Sequence, residues 1–238
     1  MLREFLDRLL ELKRDPVTMV AGVPYWTEGG GPVAPLCPSP LKFSTLTGFV
    51  DYAIAGKVWD CQRAFFAVHI LSPVAVDLIS QSDAIHRHRE IPACAFLNMA
   101  QPKFGEWLDQ DQFSIFLQTE FFATQGRAEL LRGVAVLDAE DVRTSKDDGV
   151  TQIVSARKGI VMRERQWVSN TVSLKPYRTF REVEQPSSLF LVRVRESGGR
   201  MQIAIFPSDG NSWTLEAIKN IREWLKEKLV ELEIPVLG

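Results

Sequence analysis

The sequence predicts an α+β protein, a single domain in which a large, mostly antiparallel sheet is backed by helices. The clearest signal is a β-hairpin, because two β-rich runs at residues 189–195 and 200–206 are separated by a polar turn that contains Gly198 and Gly199. Paired glycines adopt the positive φ angles that a tight hairpin turn needs. The second signal is a set of amphipathic helical patterns, of which the longest begins at about Thr214.

The size and composition of the chain favour one domain. The 238 residues are 45% hydrophobic, which is enough to bury a sizeable core, and no Gly/Ser/Pro-rich linker divides them. Three parts are expected within this domain. They are a variable N-terminal helix and irregular segment (residues 1–42), a mixed helix and strand part (43–149), and an antiparallel sheet with a C-terminal helix (150–238).

The first half of the chain contains two helical patterns and several strand-like runs. One helix lies near the N-terminus, and Ser44 or Thr45 is a suitable N-cap for the other. A Gly- and Pro-rich sequence between them predicts an irregular connection. The predicted elements are a helix over residues 2–13, strand sequence over 17–26, a helix over 46–55, and strands over 64–71, 74–79 and 85–97.

The second half is rich in aromatic residues and then in β-formers. Phe104, Trp107 and Leu108 are predicted in a first turn or short helix, and the aromatic stripe at Phe113 and Phe116 in the core or a subunit interface. The predicted elements are helices over 103–122 and 127–137, strands over 150–157 and 160–174, the hairpin over 189–206, a final helix capped by Ser212, and a short tail over 234–238.

Four short stretches occur in a defined order along the chain. They are residues 46–52 (LTGFVDY), residues 106–116 (EWL and DQFSIF), the Asp148-Gly149 turn, and the run over 174–195. In these stretches the sequence resembles an uncharacterised family of bacteriophage and prophage proteins, over residues 40–238. The resemblance implies a phage setting and an α+β fold, and it implies no catalytic residue. The segment before residue 43 departs from the family.

Charge is distributed unevenly along the chain, whose net charge is −2. Residues 151–206 carry ten Lys and Arg against four Asp and Glu, whereas the remainder carries 18 against 26. The small net charge excludes a globally basic protein that binds nucleic acid or an anionic membrane through its overall charge. The split predicts a homo-oligomer in which the acidic part of one subunit meets the basic sheet of another.

The cysteines indicate the compartment. Cys37, Cys61 and Cys94 are odd in number and form no CxxC pattern, which argues against a disulfide framework or a zinc finger. We therefore expect a reducing, cytoplasmic location, in the bacterial host if the protein is phage-encoded. No apolar run approaches the length of a membrane span, so we expect no membrane partner.

A basic strand face is the candidate ligand site. Arg163, Arg165, Arg193 and Arg195 alternate outward along the predicted strands, and Trp167 lies nearby. Because arginine binds phosphate and an aromatic ring stacks on bases, this face predicts a site for an anion or for single-stranded nucleic acid. The alternative is that these arginines form cross-strand ion pairs with glutamates. The candidate glutamates are Glu164, Glu182, Glu184 and Glu196.

The candidate metal ligands are His86 and His88, which would share one face of a strand. The flanking Arg87 and Arg89 disfavour a bound cation, so we predict no metal, no cofactor and no catalytic residue. Further ligands would have to come from Asp83, His69 or Cys94.

These observations predict a non-enzymatic phage or prophage accessory protein that acts by binding, as a homo-oligomer or with another protein. The first alternative is a nucleic-acid-binding module that uses the basic strand face. The second is a metal-dependent hydrolase around His86 and His88.

Overall fold

Helices and strands occur together throughout the chain, which confirms the predicted α+β class. The computed structural model describes residues 3–5, 16–27, 33, 38–55, 66–82, 89–135, 146–147, 152–153 and 171–238. In chain order the elements are β1 (Val17–Val20), β2 (Val23–Trp26), β3 (Leu41–Phe43), α1 (Leu46–Ile54), β4 (Phe66–Ser72), β5 (Ala75–Ser80), β6 (Ala93–Phe96), α2 (Gln110–Glu120), α3 (Gln125–Ala135), β7 (Lys146–Asp147), β8 (Gln152–Ile153), β9 (Thr171–Leu174), β10 (Ser188–Ser197), β11 (Arg200–Pro207), α4 (Trp213–Lys228) and β12 (Val236–Leu237).

A five-stranded sheet organises the first half of the chain, in the order β12-β4-β5-β6-β3. The β4-β5 and β5-β6 pairs are antiparallel, whereas β12 and β3 join the edges in parallel. Helices α1 and α4 bury their apolar residues against one face of this sheet, as Phe49 and Ile221 do. Thr45 caps α1 as predicted, because its hydroxyl accepts a hydrogen bond from the Gly48 N–H at 3.2 Å. We call this packing the first cluster.

A three-stranded antiparallel sheet, in the order β11-β10-β9, organises the second half. Gly198 and Gly199 have φ angles of 62° and 77°, which confirms the predicted hairpin turn between β10 and β11. Phe190 and Ile203 lie on the face that packs against α2 and α3. Helix α3 comes close to β9 at Gly126, where a Cβ atom would lie 2.5 Å from the Ser173 carbonyl oxygen. We call this packing the second cluster.

In place of the one large sheet that the sequence predicted there are two sheets, of five and three strands, in which four of the six strand pairs are antiparallel. A buried connection joins the two sheets. Residues 175–187 leave β9, cross to the first cluster with Phe180 and Val183, and return to β10. A buried loop must satisfy its backbone polar groups, and Gln185 does so here. Its side-chain carbonyl oxygen accepts from the N–H groups of Arg178 and Thr179, and its side-chain amide donates to three carbonyl oxygens of the same loop.

The segment before α2 corrects one prediction. Residues 103–108 are extended and pair with the edge of β11, since Leu108 and Ile203 exchange two backbone hydrogen bonds and the Gly105 N–H donates to the Ile205 carbonyl. Gly105 has a φ of 79°, which favours glycine and is incompatible with a helix. Helix α2 begins only after Asp109, whose carboxylate accepts from the Gln112 N–H.

The structure also differs from two predictions at the C-terminal end of the chain. Ser212 occupies the N-cap position of α4, but its side chain makes no capping hydrogen bond. The predicted tail contains β12, in which Val236 pairs with Val68. A two-residue strand is too short to show an alternating sequence pattern. Its pairing with the edge of β4 stabilises it.

Candidate functional site

The outer face of the three-stranded sheet carries the basic residues that the sequence predicts. Residues paired across antiparallel strands share a face, so Arg195 lies with Gln202, Arg193 with Ala204, and Leu191 with Phe206. Within the described strands β9, β10 and β11, the outward positions contain three arginines and no Asp or Glu. These positions are Thr171, Ser173, Leu189, Leu191, Arg193, Arg195, Ser197, Arg200, Gln202, Ala204 and Phe206.

Trp107 completes this surface from the extended edge segment. Its neighbour Leu108 points into the second cluster, so Trp107 projects to the opposite, outer face. The Arg195 guanidinium carbon lies 4.1 Å from the centroid of the Trp107 ring, and Phe206 meets the same ring edge-on at 6.3 Å. We call Trp107, Arg193, Arg195, Arg200 and Phe206 the arginine face.

The geometry of Arg195 is fixed by two contacts. Its Nε donates to the Gln202 side-chain oxygen at 2.9 Å while its planar group stacks on Trp107. A stacked guanidinium keeps its remaining N–H groups directed outward, where they match the oxygens of a phosphate. Arg195 and Arg200 are exposed, whereas Arg193 is half-buried.

The predicted site residues are partly brought together. Arg193 and Arg195 lie on one face as expected, and Arg163, Arg165 and Trp167 lie outside the described residues. The aromatic partner that the structure supplies is Trp107, which the sequence prediction missed because it was assigned to a helix. The alternation of Glu106, Trp107 and Leu108 after Pro102 is a strand-like signal that could have indicated this position.

The glutamates proposed as partners have other roles. The Glu182 carboxylate accepts from the Leu46 and Thr47 N–H groups at the start of α1. Lys175 donates to Glu184 at 2.5 Å, and this hydrogen bond lowers the pKa of the exposed Glu184 carboxyl. Glu196 accepts from the Gly199 N–H in the hairpin turn. The alternative of cross-strand pairing is therefore weakened for Glu182 and Glu184, and Glu164 lies outside the described residues.

A second cationic group, Arg178, is buried between the second cluster and the first residue of α4, Trp213. Its side chain is 4% exposed, and the guanidinium carbon lies 4.7 to 5.3 Å from the ring centroids of Phe104, Phe190 and Trp213. Burial lowers the pKa of Arg178 to about 10, while the charge of Asp209 raises it. Because about 10 is still far above neutrality, the group remains charged and holds the three rings together.

The open face of the five-stranded sheet brings together four ionisable residues in one transverse row. The strand register aligns His69 with Asp77, Asp77 with Cys94, and Cys94 with Lys42. Burial raises the pKa of the Cys94 thiol, and the neighbouring Asp77 carboxylate raises it further. A raised pKa disfavours the thiolate, which is the reactive form of cysteine.

The metal prediction concerns residues that are mostly outside the described part of the chain, since His86 and His88 lie there. Among the residues that the structure does describe, no three His, Cys, Asp or Glu side chains are grouped to hold a metal ion. The described part likewise contains no helix that is long and apolar enough to cross a bilayer.

A cleft of about 490 Å³ lies on the other side of the three-stranded sheet, between the edge segment and α2. Its apolar lining includes Pro102, Leu108 and Phe116, and Ile115 stands at its side with 61% exposure. Charged residues at the cleft are Lys103, Glu106 and Glu120. We call this feature the α2 cleft.

No family model, curated protein or solved structure matches this chain. The resemblance to bacteriophage and prophage proteins therefore stays a prediction.

Proposed function

We propose that this protein acts by binding rather than by catalysis, and that its arginine face binds single-stranded nucleic acid. The observation that carries the proposal is the Arg195 guanidinium stacked at 4.1 Å on Trp107, on a sheet face whose described strand positions contain no carboxylate. Phage or prophage origin and a bacterial cytoplasmic setting accompany this proposal on the sequence resemblance alone.

The arrangement supplies the two interactions that a flexible strand needs. Arg195 and Arg200 are exposed cations that can contact successive phosphates, and each contact releases counterions. Trp107 and Phe206 are aromatic rings on which bases can stack, at about 1–3 kcal/mol per base. Base stacking depends little on sequence, so the expected binding has weak sequence preference.

The test is fluorescence anisotropy of a labelled single-stranded oligonucleotide across a salt series. We expect native protein to bind with an affinity that falls steeply with salt, and Arg195→Ala with Arg200→Ala to flatten the log–log slope by about 0.7 per lost phosphate contact. The matched control is Lys219→Ala with Lys226→Ala, which removes the same charge from the exposed side of α4.

Trp107→Ala separates stacking from charge. This variant should weaken binding by about 1–3 kcal/mol without changing the salt slope, and Trp107→Phe should restore part of the loss. Absence of binding by native protein at low salt, or an equal loss in the Lys219 and Lys226 control, would reject the proposal.

A further inference from the structure

The three-stranded sheet separates two surfaces of opposite charge. The arginine face lies on one side, and α2 with its cleft packs on the other. Residues 103–120 carry four carboxylates against Lys103 alone. The carboxylates are Glu106, Asp109, Asp111 and Glu120. The two surfaces point in opposite directions from the same sheet, so they cannot neutralise each other within one chain.

The two surfaces also match in their apolar content. The α2 cleft presents Ile115 at 61% exposure next to Phe116, and the arginine face carries the half-buried rings of Trp107 and Phe206 beside Arg195. An interface with an apolar centre and complementary charges around it has the composition of a specific protein contact. The hairpin turn at residues 197–200 is exposed, so Arg200 is accessible to a second copy.

We propose that the occupant of the α2 cleft is the arginine face of a second copy of this chain. Arg195 and Arg200 of one copy then lie against Glu106 and Glu120 of the next. Because each copy uses two different surfaces, the contact is heterologous and produces a ring or an open chain of subunits. Self-association uses the arginine face without nucleic acid, so it does not rest on the proposed function, and single strands should compete with it.

The decisive experiment mixes two charge-reversed variants and measures mass by analytical ultracentrifugation at low salt. Glu106→Lys with Glu120→Lys removes the acidic cleft and keeps the arginine face. Arg195→Glu with Arg200→Glu removes the arginine face and keeps the cleft. Each variant alone should be monomeric, because its two surfaces carry like charge. The equimolar mixture should give dimers and larger species, because the arginine face of the first variant meets the acidic cleft of the second and the reversed cleft of the first meets the reversed face of the second.

Native protein provides the reference. It should associate at micromolar concentration in about 50 mM NaCl, and its dissociation constant should rise roughly tenfold by about 300 mM, since exposed charges are screened. Circular dichroism and thermal unfolding confirm that each variant is folded. A monomeric native protein at low salt, variants that associate as native does, or a mixture that gives no dimer would each overturn the inference.

The outcomes are independent of the nucleic-acid test. Native protein that binds a single strand but stays monomeric removes self-association and keeps the proposed function. Native protein that associates but binds no single strand removes the proposed function and keeps self-association. If both occur, a single-stranded oligonucleotide in excess should convert the oligomer to protein–nucleic acid complexes of lower mass.

Discussion

The two larger sheets follow the same plan but treat charge in opposite ways. Each buries one face under two helices and has an opposite face that is partly exposed. On the five-stranded sheet the open face carries Asp77 between His69 and Cys94, with Lys42 at the end of the row, so unlike charges lie side by side. On the three-stranded sheet the charged residues at the described outward strand positions are all arginines. A face on which positive and negative side chains alternate has little net charge to attract a ligand. A face with charges of one sign is suited to bind a ligand of the opposite sign.

The largest effect should come from Arg178, which links the second cluster to the start of α4. Arg178→Ala removes a buried cation from three aromatic rings and leaves the charge of Asp209 without its counterpart. We expect the free energy of unfolding to fall by about 3 kcal/mol, measured by urea denaturation. Arg181→Ala is the control, since Arg181 stacks on one ring, Tyr177, at an exposed position. A loss no larger than the control's would show that Arg178 does not hold the start of α4 against the second cluster.

A glycine in each region tests how tightly its helix is packed. Gly126→Ala would place a methyl group 2.5 Å from a backbone oxygen of β9, so we expect a loss of about 1–3 kcal/mol in urea unfolding. Gly48→Ala in α1 meets only the side chains of Phe43 and Thr45, at 3.2 Å. We expect a change within about 1 kcal/mol there, because helix propensity favours alanine. Equal losses at both sites would contradict the closer approach of α3.

Removing one cation from each open face separates binding from stability. Arg195→Gln and Lys42→Gln should each change the free energy of unfolding by at most about 1 kcal/mol, because both side chains are exposed. Only Arg195→Gln should weaken the binding of a labelled single strand and reduce its salt slope. A similar loss of binding in Lys42→Gln would mean that the open faces do not differ in function.

The smallest effect is the pH dependence of the five-stranded sheet. Burial raises the pKa of Asp77 above 3.8, and the charge of His69 opposes this shift. The native state then holds the proton to higher pH than the unfolded chain does, so the free energy of unfolding falls as pH rises from 3.8 through the native pKa. Lys42 and Cys94 are the other ionisable neighbours in the row.

Asp77→Asn should remove this fall in the free energy of unfolding with rising pH. We expect the variant to be more stable than native protein near pH 7 and to lose that advantage below 3.8, as followed by urea denaturation over a pH series. An Asp77→Asn variant that is less stable than native at neutral pH would show that the carboxylate is stabilised in the folded state.

Local sequence signals predicted much of the described fold. The hairpin turn at Gly198 and Gly199, the Thr45 cap and the outward position of Arg193 and Arg195 are all set by neighbours in the chain. The extended edge segment was mispredicted because Phe104, Trp107 and Leu108 continue the aromatic pattern of α2 in the sequence. Hydrogen bonds to β11, more than 90 residues later in the chain, decide its conformation.

The sequence by itself determined which side of each strand is apolar, because alternation with a period of two is a property of consecutive residues. Only the tertiary structure decided which residues meet across strands. Trp107 reaches Arg195 because the edge segment pairs with β11, and His69, Asp77 and Cys94 align because three strands share one register. Register between distant segments is fixed by the packing of the whole core, and no local pattern carries it.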